Sequence, residues 1–280
     1  MLRLVELPAT HFGSLTRARI GTSVLVAAGI AGGIGLRIWV LTSSVLGPLD
    51  SDEAVSGLMA RHVLHGELRV FFWGQSYGGA QETFLTAGVF ALFGSSTAAL
   101  RVVPLTLYAL AALLVWRIGR RTVGESAARI GALLFWLWPS YFVWRSVKAY
   151  GYYGAAPVLG LGVVLFALRL RERDSRLDFL LLGLVLGLGW WATPQTALLA
   201  VPVLAWLFWR RPGALRGAWL VVPAVGVGAM PLLIESVKHG LYSPGVVNGR
   251  TFLSHLRGFF GSTLPTALGL RVPFSLSWLL

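Results

Sequence analysis

Apolar runs of about 15–25 residues, separated by short gaps rich in arginine, recur along this chain from Ile20 to Ile234. Water does not tolerate such runs on a surface, and a helix needs ~20 predominantly apolar residues to cross the hydrocarbon core of a bilayer. Only 12% of the 280 residues are charged, half of the ~25% usual in a soluble domain. The fold class that follows is all-α, a polytopic transmembrane helical bundle of about seven spans.

The spans are expected at Ile20–Leu41, Ala99–Trp116, Ala127–Trp144, Gly154–Leu168, Phe179–Ala192, Thr196–Trp209 and Gly217–Ile234. Several are shorter than a perpendicular crossing requires, so their ends reach into the flanking segments. Arg37 stands close enough to the outer end of the first span to snorkel. The apolar stretch from Ile20 to Leu46 is too long for the core of a signal peptide, so it reads as a retained anchor.

Charge sets the orientation. The formal net charge of +13 would suit a nucleic-acid partner, but the basic residues fall between apolar runs: Arg17 and Arg19; Arg117, Arg120, Arg121 and Arg129; Arg169, Arg171, Arg173 and Arg176; Arg210, Arg211 and Arg216. That is the positive-inside pattern of cytoplasmic loops, and no nucleic-acid partner is expected. Ala80–Gly94 has only about a dozen apolar residues, and counting it as a span would turn the later clusters outward. It is therefore read as membrane-associated without spanning. Residues 1–19 form a cytoplasmic N-terminus, 20–234 the transmembrane region, and 42–98 a large first external loop. Residues 235–280 read as a further external loop, the start of a C-terminal part that stops short. Cysteine is absent, which excludes disulfides and cysteine-ligated zinc.

Just after the first span lies "PLDSDEAVSGLMARHVLHGE", Pro48 to Glu67, with three acids in four positions. Asp50 can cap a helix, Glu53 stands at the capping-box position, and Gly66 marks the end. Val55, Leu58, Met59 and Val63 give that helix one apolar stripe, suited to a membrane surface. One or two acids suffice to cap a helix, so the third calls for another explanation.

The stretch "SDEAVSGLMARHVLHGELRVFFWGQSYGGAQETFLTAGVFALFG", with "ALRVVP" after it, resembles the first external loop of GT-C glycosyltransferases. The likeness is to the bacterial branch related to protein O-mannosyltransferases and the lipid A aminoarabinose transferase, and it extends to "VKAYGYYG" and "WWATPQT". The resemblance implies transfer of a hexosyl or pentosyl group from a polyprenyl-phosphate carrier to a hydroxyl of a glycan, lipid or protein. The reaction would take place on the external face of a bacterial inner membrane, among membrane lipids, with inversion and as part of cell-envelope glycan synthesis. It assigns Asp52 and Glu53 as the catalytic carboxylates, with Asp50 supporting them. The phosphate leaving group needs cations: Arg145 and Lys148 are the first candidates and Arg61 and Arg101 stand behind them, with contact of Arg145 and Lys148 to lipid headgroups as the weaker alternative. Trp73, Tyr77, Tyr150, Tyr152, Tyr153, Trp190 and Trp191 fall at external ends, where they could stack on sugar or prenyl groups or form an interfacial belt. His62 and His65 have no partner at metal spacing. Family members that hold a divalent ion place a second acid after the third span. Gly154, Ala155 and Ala156 stand there in this chain, so no metal is expected to be required. Two other classes compete: an inactive, truncated membrane scaffold, and a transporter subunit. The near absence of charge at mid-span disfavours the transporter.

Overall fold

The computed structural model describes residues 10–75, 77–239 and 252–270, with side chains from 23–75, 77–238 and 253–270. Residues 1–9 of the expected N-terminal segment, and 240–251 and 271–280 of the expected last loop, lie outside the described residues. Among the described residues the elements are helical: α1 (Thr10–Thr42), α2 (Ser51–Leu64), α3 (Gln81–Phe93), α4 (Thr97–Thr122), α5 (Glu125–Leu137), α6 (Ser140–Arg145) and α7 (Ala155–Glu172). The order continues with α8 (Arg176–Ala192), α9 (Ala197–Arg210), α10 (Ala218–Gly228), α11 (Met230–His239), α12 (Phe252–Gly258) and α13 (Leu264–Ala267). Short 3-10 turns at Pro194–Thr196 and Pro212–Gly217 lead into α9 and α10.

Two stretches, Ser23–Thr42 of α1 and Thr97–Thr122 of α4, are long and apolar enough to cross a membrane. The segment Pro212–Gly228 with Met230–Lys238 gives a third if its 64° bend lies within one span. The continuous run expected at Ala127–Trp144 is divided. The chain leaves the helix at Trp138–Pro139 and re-forms one as α6, because proline can neither donate to the preceding turn nor fit against its carbonyl. The expected Gly217–Ile234 span is likewise split between α10 and α11 at Ala229.

Cross-links between elements define two ends of the bundle. At one end the Gly79 amide donates to the Ala192 carbonyl at 2.9 Å. The Trp191 indole donates to Val70, and the Ala155 amide donates to Glu82. The C-terminus of α8 and the N-termini of α3 and α7 therefore lie together. Phe90 and Ala87, late in α3, pack with Ala60 of α2, Leu100 at the start of α4, and Ala149. Both halves of α3 thus stay at this end. At the other end Arg121 bonds Glu172 at 2.5 Å, Arg211 bonds the Leu170 carbonyl, and Arg169 pairs with Asp178 at 2.8 Å. Three arginine clusters converge there.

Between the ends, glycine allows close helix packing. A Cβ at Gly183 or Gly187 of α8 would collide with the Val221 or Val225 carbonyl of α10, and one at Gly228 would lie 2.5 Å from the Leu184 oxygen. Such small-residue faces let helix backbones approach where lipid supplies no hydrophobic drive. A second layer packs Val163, Ala167 and Leu170 of α7 against Phe179 and Leu182 of α8, and Ala200 and Leu207 of α9.

Arg37 departs from its expected role. It is only 3% exposed, sits 3.5 Å over the Trp136 ring, and donates to the Gly33 and Trp136 carbonyls at 2.8 and 3.1 Å. Gly33 leaves the room: a Cβ there would overlap the Trp136 indole. The guanidinium is held by an aromatic face rather than by the headgroup layer.

Candidate active site

The acidic segment folds as its capping pattern predicts, but the three acids part company. Asp50 is the N-cap of α2, its Oδ1 accepting from the Glu53 amide at 3.0 Å. Its Oδ2 accepts from the Tyr150 hydroxyl and lies 3.5 Å from Lys148 Nζ. Glu53 does not turn back to complete a capping box. It is fully buried, and Arg101 grips it with Nε at 2.8 Å and Nη2 at 2.9 Å, while Lys148 Nζ donates at 2.8 Å. An isolated carboxylate there would cost several kcal/mol in desolvation, and a bidentate guanidinium plus an ammonium offset that. The same cations reach the backbone: Arg101 donates to the Gly47 carbonyl at 2.8 Å and Lys148 to Pro48 at 2.7 Å. Glu53 is thus the node that fastens α2, α4, the Gly47–Pro48 linker and the loop after α6 together.

Asp52 stands one residue away and is exposed. It has no hydrogen-bond or ion-pair partner among the described residues. The ordinary helical step from Glu53 turns its side chain away from the Arg101–Lys148 node. On the remainder of α2, Met59 and Ala60 are buried and the Ser56 hydroxyl donates to the Ala149 carbonyl at 2.6 Å, whereas Leu58 of the expected apolar stripe is 47% exposed.

Arg145 closes α6 beside this network. Its guanidinium lies 4.5 Å from the Tyr150 ring and 4.4 Å from the Tyr153 ring, and Tyr141 is 5.8 Å away. No carboxylate is within salt-bridge distance among the described residues, unlike the cases of Arg101 and Lys148. Tyr150 links the two groups, with its ring on Arg145 and its hydroxyl on Asp50; burial and that carboxylate raise the phenol's pKa. Tyr152 is 1% exposed, donates to Gln75 Oε1 at 2.9 Å, lies tilted against the Tyr153 ring at 4.4 Å and meets Tyr77 edge-on at 6.1 Å.

The other expected site residues are scattered. Arg61 is exposed on α2. Trp73 meets the His62 ring edge-on at 5.0 Å, and His62 pairs with Glu67 at 3.0 Å. Trp191 is buried with its indole committed to Val70, while Trp190 is 54% exposed, so the pair divides between scaffold and surface.

The sequence reading overlooked Glu82. It opens α3, is 4% exposed, and accepts from the Ala155 amide at 2.8 Å at the N-terminus of α7. A Cβ at Gly154 would lie 3.3 Å from both of its oxygens. Burial pushes its carboxyl up to about 7, against the opposing pull of the Ala155 and Gly154 amides and of Arg145. A carboxyl therefore stands in space where the sequence has only Gly154 and Ala155. The signal was a lone acid opening an apolar dozen. Among the described residues no group of three His, Cys, Asp or Glu side chains is arranged to hold a metal ion.

Comparison with known proteins finds no match among curated proteins and none among solved structures. Residues 82–234, more than half of the chain, match the model of the family described as dolichyl-phosphate-mannose-protein mannosyltransferase. The match begins at Glu82, so Asp50–Glu53, Trp73 and Tyr77 lie ahead of it, while Arg145, Lys148, Tyr150, Tyr152, Tyr153 and Glu82 lie inside it. With its helical fold and apolar spanning helices, the chain belongs to the dolichyl-phosphate-mannose-protein mannosyltransferase family, membrane glycosyltransferases of the GT-C type.

Proposed function

We propose that this chain transfers a sugar from a polyprenyl-phosphate carrier to an acceptor hydroxyl, with inversion, at the membrane face that carries α2 and α3. The observation that supports this reading best is the division among the three acids: Asp50 and Glu53 are committed to neighbours, and Asp52 is exposed without a partner. A general base must be able to reach the proton it takes. Asp52 accepts the proton of the acceptor hydroxyl as that oxygen bonds to the anomeric carbon. The bond from that carbon to the carrier phosphate breaks, and the electron pair leaves on the phosphate oxygen. Arg145, held by Tyr150 and Tyr153 and free of a carboxylate bridge, meets that developing charge. Glu53, Arg101 and Lys148 hold α2 against the loop that carries Arg145, and Asp50 caps α2. Tyr77 and Tyr153 form the sugar-facing wall, with the buried Tyr152 backing both and Trp73 at the edge. Trp190 sits in the interface and Arg61 faces the headgroups.

In this reading α1, α4, α5 with α6, α7, α8, α9, and α10 with α11 make seven crossings of a bacterial inner membrane. Helices α2 and α3 stay outside, a placement supported by the two ends of α3 lying at one end of the bundle. The donor is a mannosyl or related hexosyl or pentosyl carrier, and the acceptor a glycan, lipid or protein.

The test is transfer from polyprenyl-phosphate-linked mannose in membranes expressing the chain. Asp52→Asn should lower transfer by about 10²–10⁴-fold without loss of insertion. Asp50→Asn should act through the cap and be milder, and Arg145→Ala should raise the donor KM. Wild-type transfer by Asp52→Asn would remove the base assignment.

A further inference from the structure

The end of the bundle opposite Asp52 contains a second built site. The turn between α7 and α8 and the 3-10 turn between α9 and α10 border an open pocket of about 490 Å³, lined by Asp174, Arg176, Arg211, Arg216, Phe179 and Trp219 among others. That volume is within the ~300–1,000 Å³ of small-molecule sites. The lining carries three arginines and one carboxylate, and Arg211 already holds that carboxylate at 2.8 Å. The nearby Asp178 is buried and bridged to Arg169 at 2.8 Å and Arg173 at 3.9 Å, so it does not offset the remaining cations. Arg176 and Arg216 have no acidic partner among the described residues. The N-terminus of α8, capped by Ser175, also opens on this cavity, so backbone N–H groups add positive potential. Gly217 lets the Phe179 ring pack against it, and the remaining wall is apolar, with Trp219 66% exposed beside Phe179 and Leu220.

We propose that this cavity binds the phosphate headgroup of an anionic membrane phospholipid, with Arg176 and Arg216 on the phosphate and the acyl chains along Trp219 and Leu220. The guanidinium chemistry alone would also suit a free phosphate. The apolar wall continuing from the cationic mouth favours the lipid, because an inorganic anion makes no use of it. Basic pockets between membrane helices take phospholipid headgroups for the same reason. The site uses no residue of the glycosyl-transfer site and does not depend on it.

The experiment is native mass spectrometry of the full chain in a neutral detergent, titrated with phosphatidylglycerol or phosphatidylcholine. One phosphatidylglycerol should be retained per chain, at least about tenfold more tightly than phosphatidylcholine. Arg176→Gln with Arg216→Gln should weaken that retention by about 25-fold, about fivefold for each guanidinium removed. The charge-matched Arg117→Gln with Arg171→Gln, in α4 and α7 and outside the pocket lining, should change it less than about twofold. Equal loss in both double variants would reduce the effect to diffuse charge and overturn the proposal. So would equal retention of the two lipids, or displacement of phosphatidylglycerol by equimolar inorganic phosphate. Thermal unfolding of both variants in the same detergent verifies that each is folded.

Discussion

Glu53 and Glu82 are both buried acids, and their surroundings hold them in opposite ways. Glu53 has an arginine and a lysine in direct contact, so replacing it leaves two cations facing each other in a dry site. Glu53→Gln is expected to destabilise the fold by about 3–5 kcal/mol, read as a large drop in unfolding temperature in detergent. An unchanged temperature would show that the node is dispensable. Glu82 has backbone amides and only the more distant Arg145, and its carboxyl is pushed up to about 7. The unfolded chain releases this proton near 4.5, so between about pH 4.5 and 7 the unfolded state ionises first. Stability therefore falls as pH rises through that window, by on the order of 3 kcal/mol for this group, and levels off above it. Glu82→Gln should flatten this part of the unfolding-temperature profile; an identical slope in the variant would mean that other groups carry it. Neither role could be read in the sequence. Spacing placed Glu53 beside Asp52 but said nothing of Arg101 and Lys148, which lie far along the chain, and Glu82 looked like one polar residue in an apolar run.

Among the elements, the packing of α8 on α10 is the most exacting. Gly187→Ala would drive a methyl group into the Val225 carbonyl and the Ala229 amide, both backbone atoms that cannot swing aside. The two helices must separate, and folded yield in detergent should fall sharply. Gly226→Ala, on the same helix pair with open space around its Cβ, should be neutral or stabilising by about 0.4–1 kcal/mol. Comparable yields for the two variants would refute the close approach. The apolar runs and the cap of α2 were legible: Asp50 caps that helix through local spacing alone. The breaks were harder to place. Pro139 was a visible breaker inside the expected third span, but average apolarity across Ala127–Trp144 concealed it. Arg37 looked like a snorkelling residue because its Trp136 partner comes 99 residues later.

Over the whole molecule, three described arginine clusters gather at one end and the Asp50–Glu53 network at the other. Reporter fusions or cysteine labelling at Arg121, Arg173 and Arg211 should therefore give one location, and Gly74 and Gly151 the other. In the proposed orientation the first set is cytoplasmic. A split within the first set would contradict the bundle itself, whereas a uniform external signal would only invert it. This arrangement was legible because membrane charge bias acts on whole loops, whereas long-range side-chain partners leave no periodic mark. The ion-paired node also bears on how the chain is made. Glu53 leaves the ribosome 48 residues before Arg101 and 95 before Lys148. Until both arrive, its charge has to remain in water, so α2 cannot settle into its final bed during early insertion. Closure of the first loop thus waits for the segment after α6, and nascent chains arrested before Lys148 should leave Glu53 open to aqueous carboxyl reagents that longer chains resist.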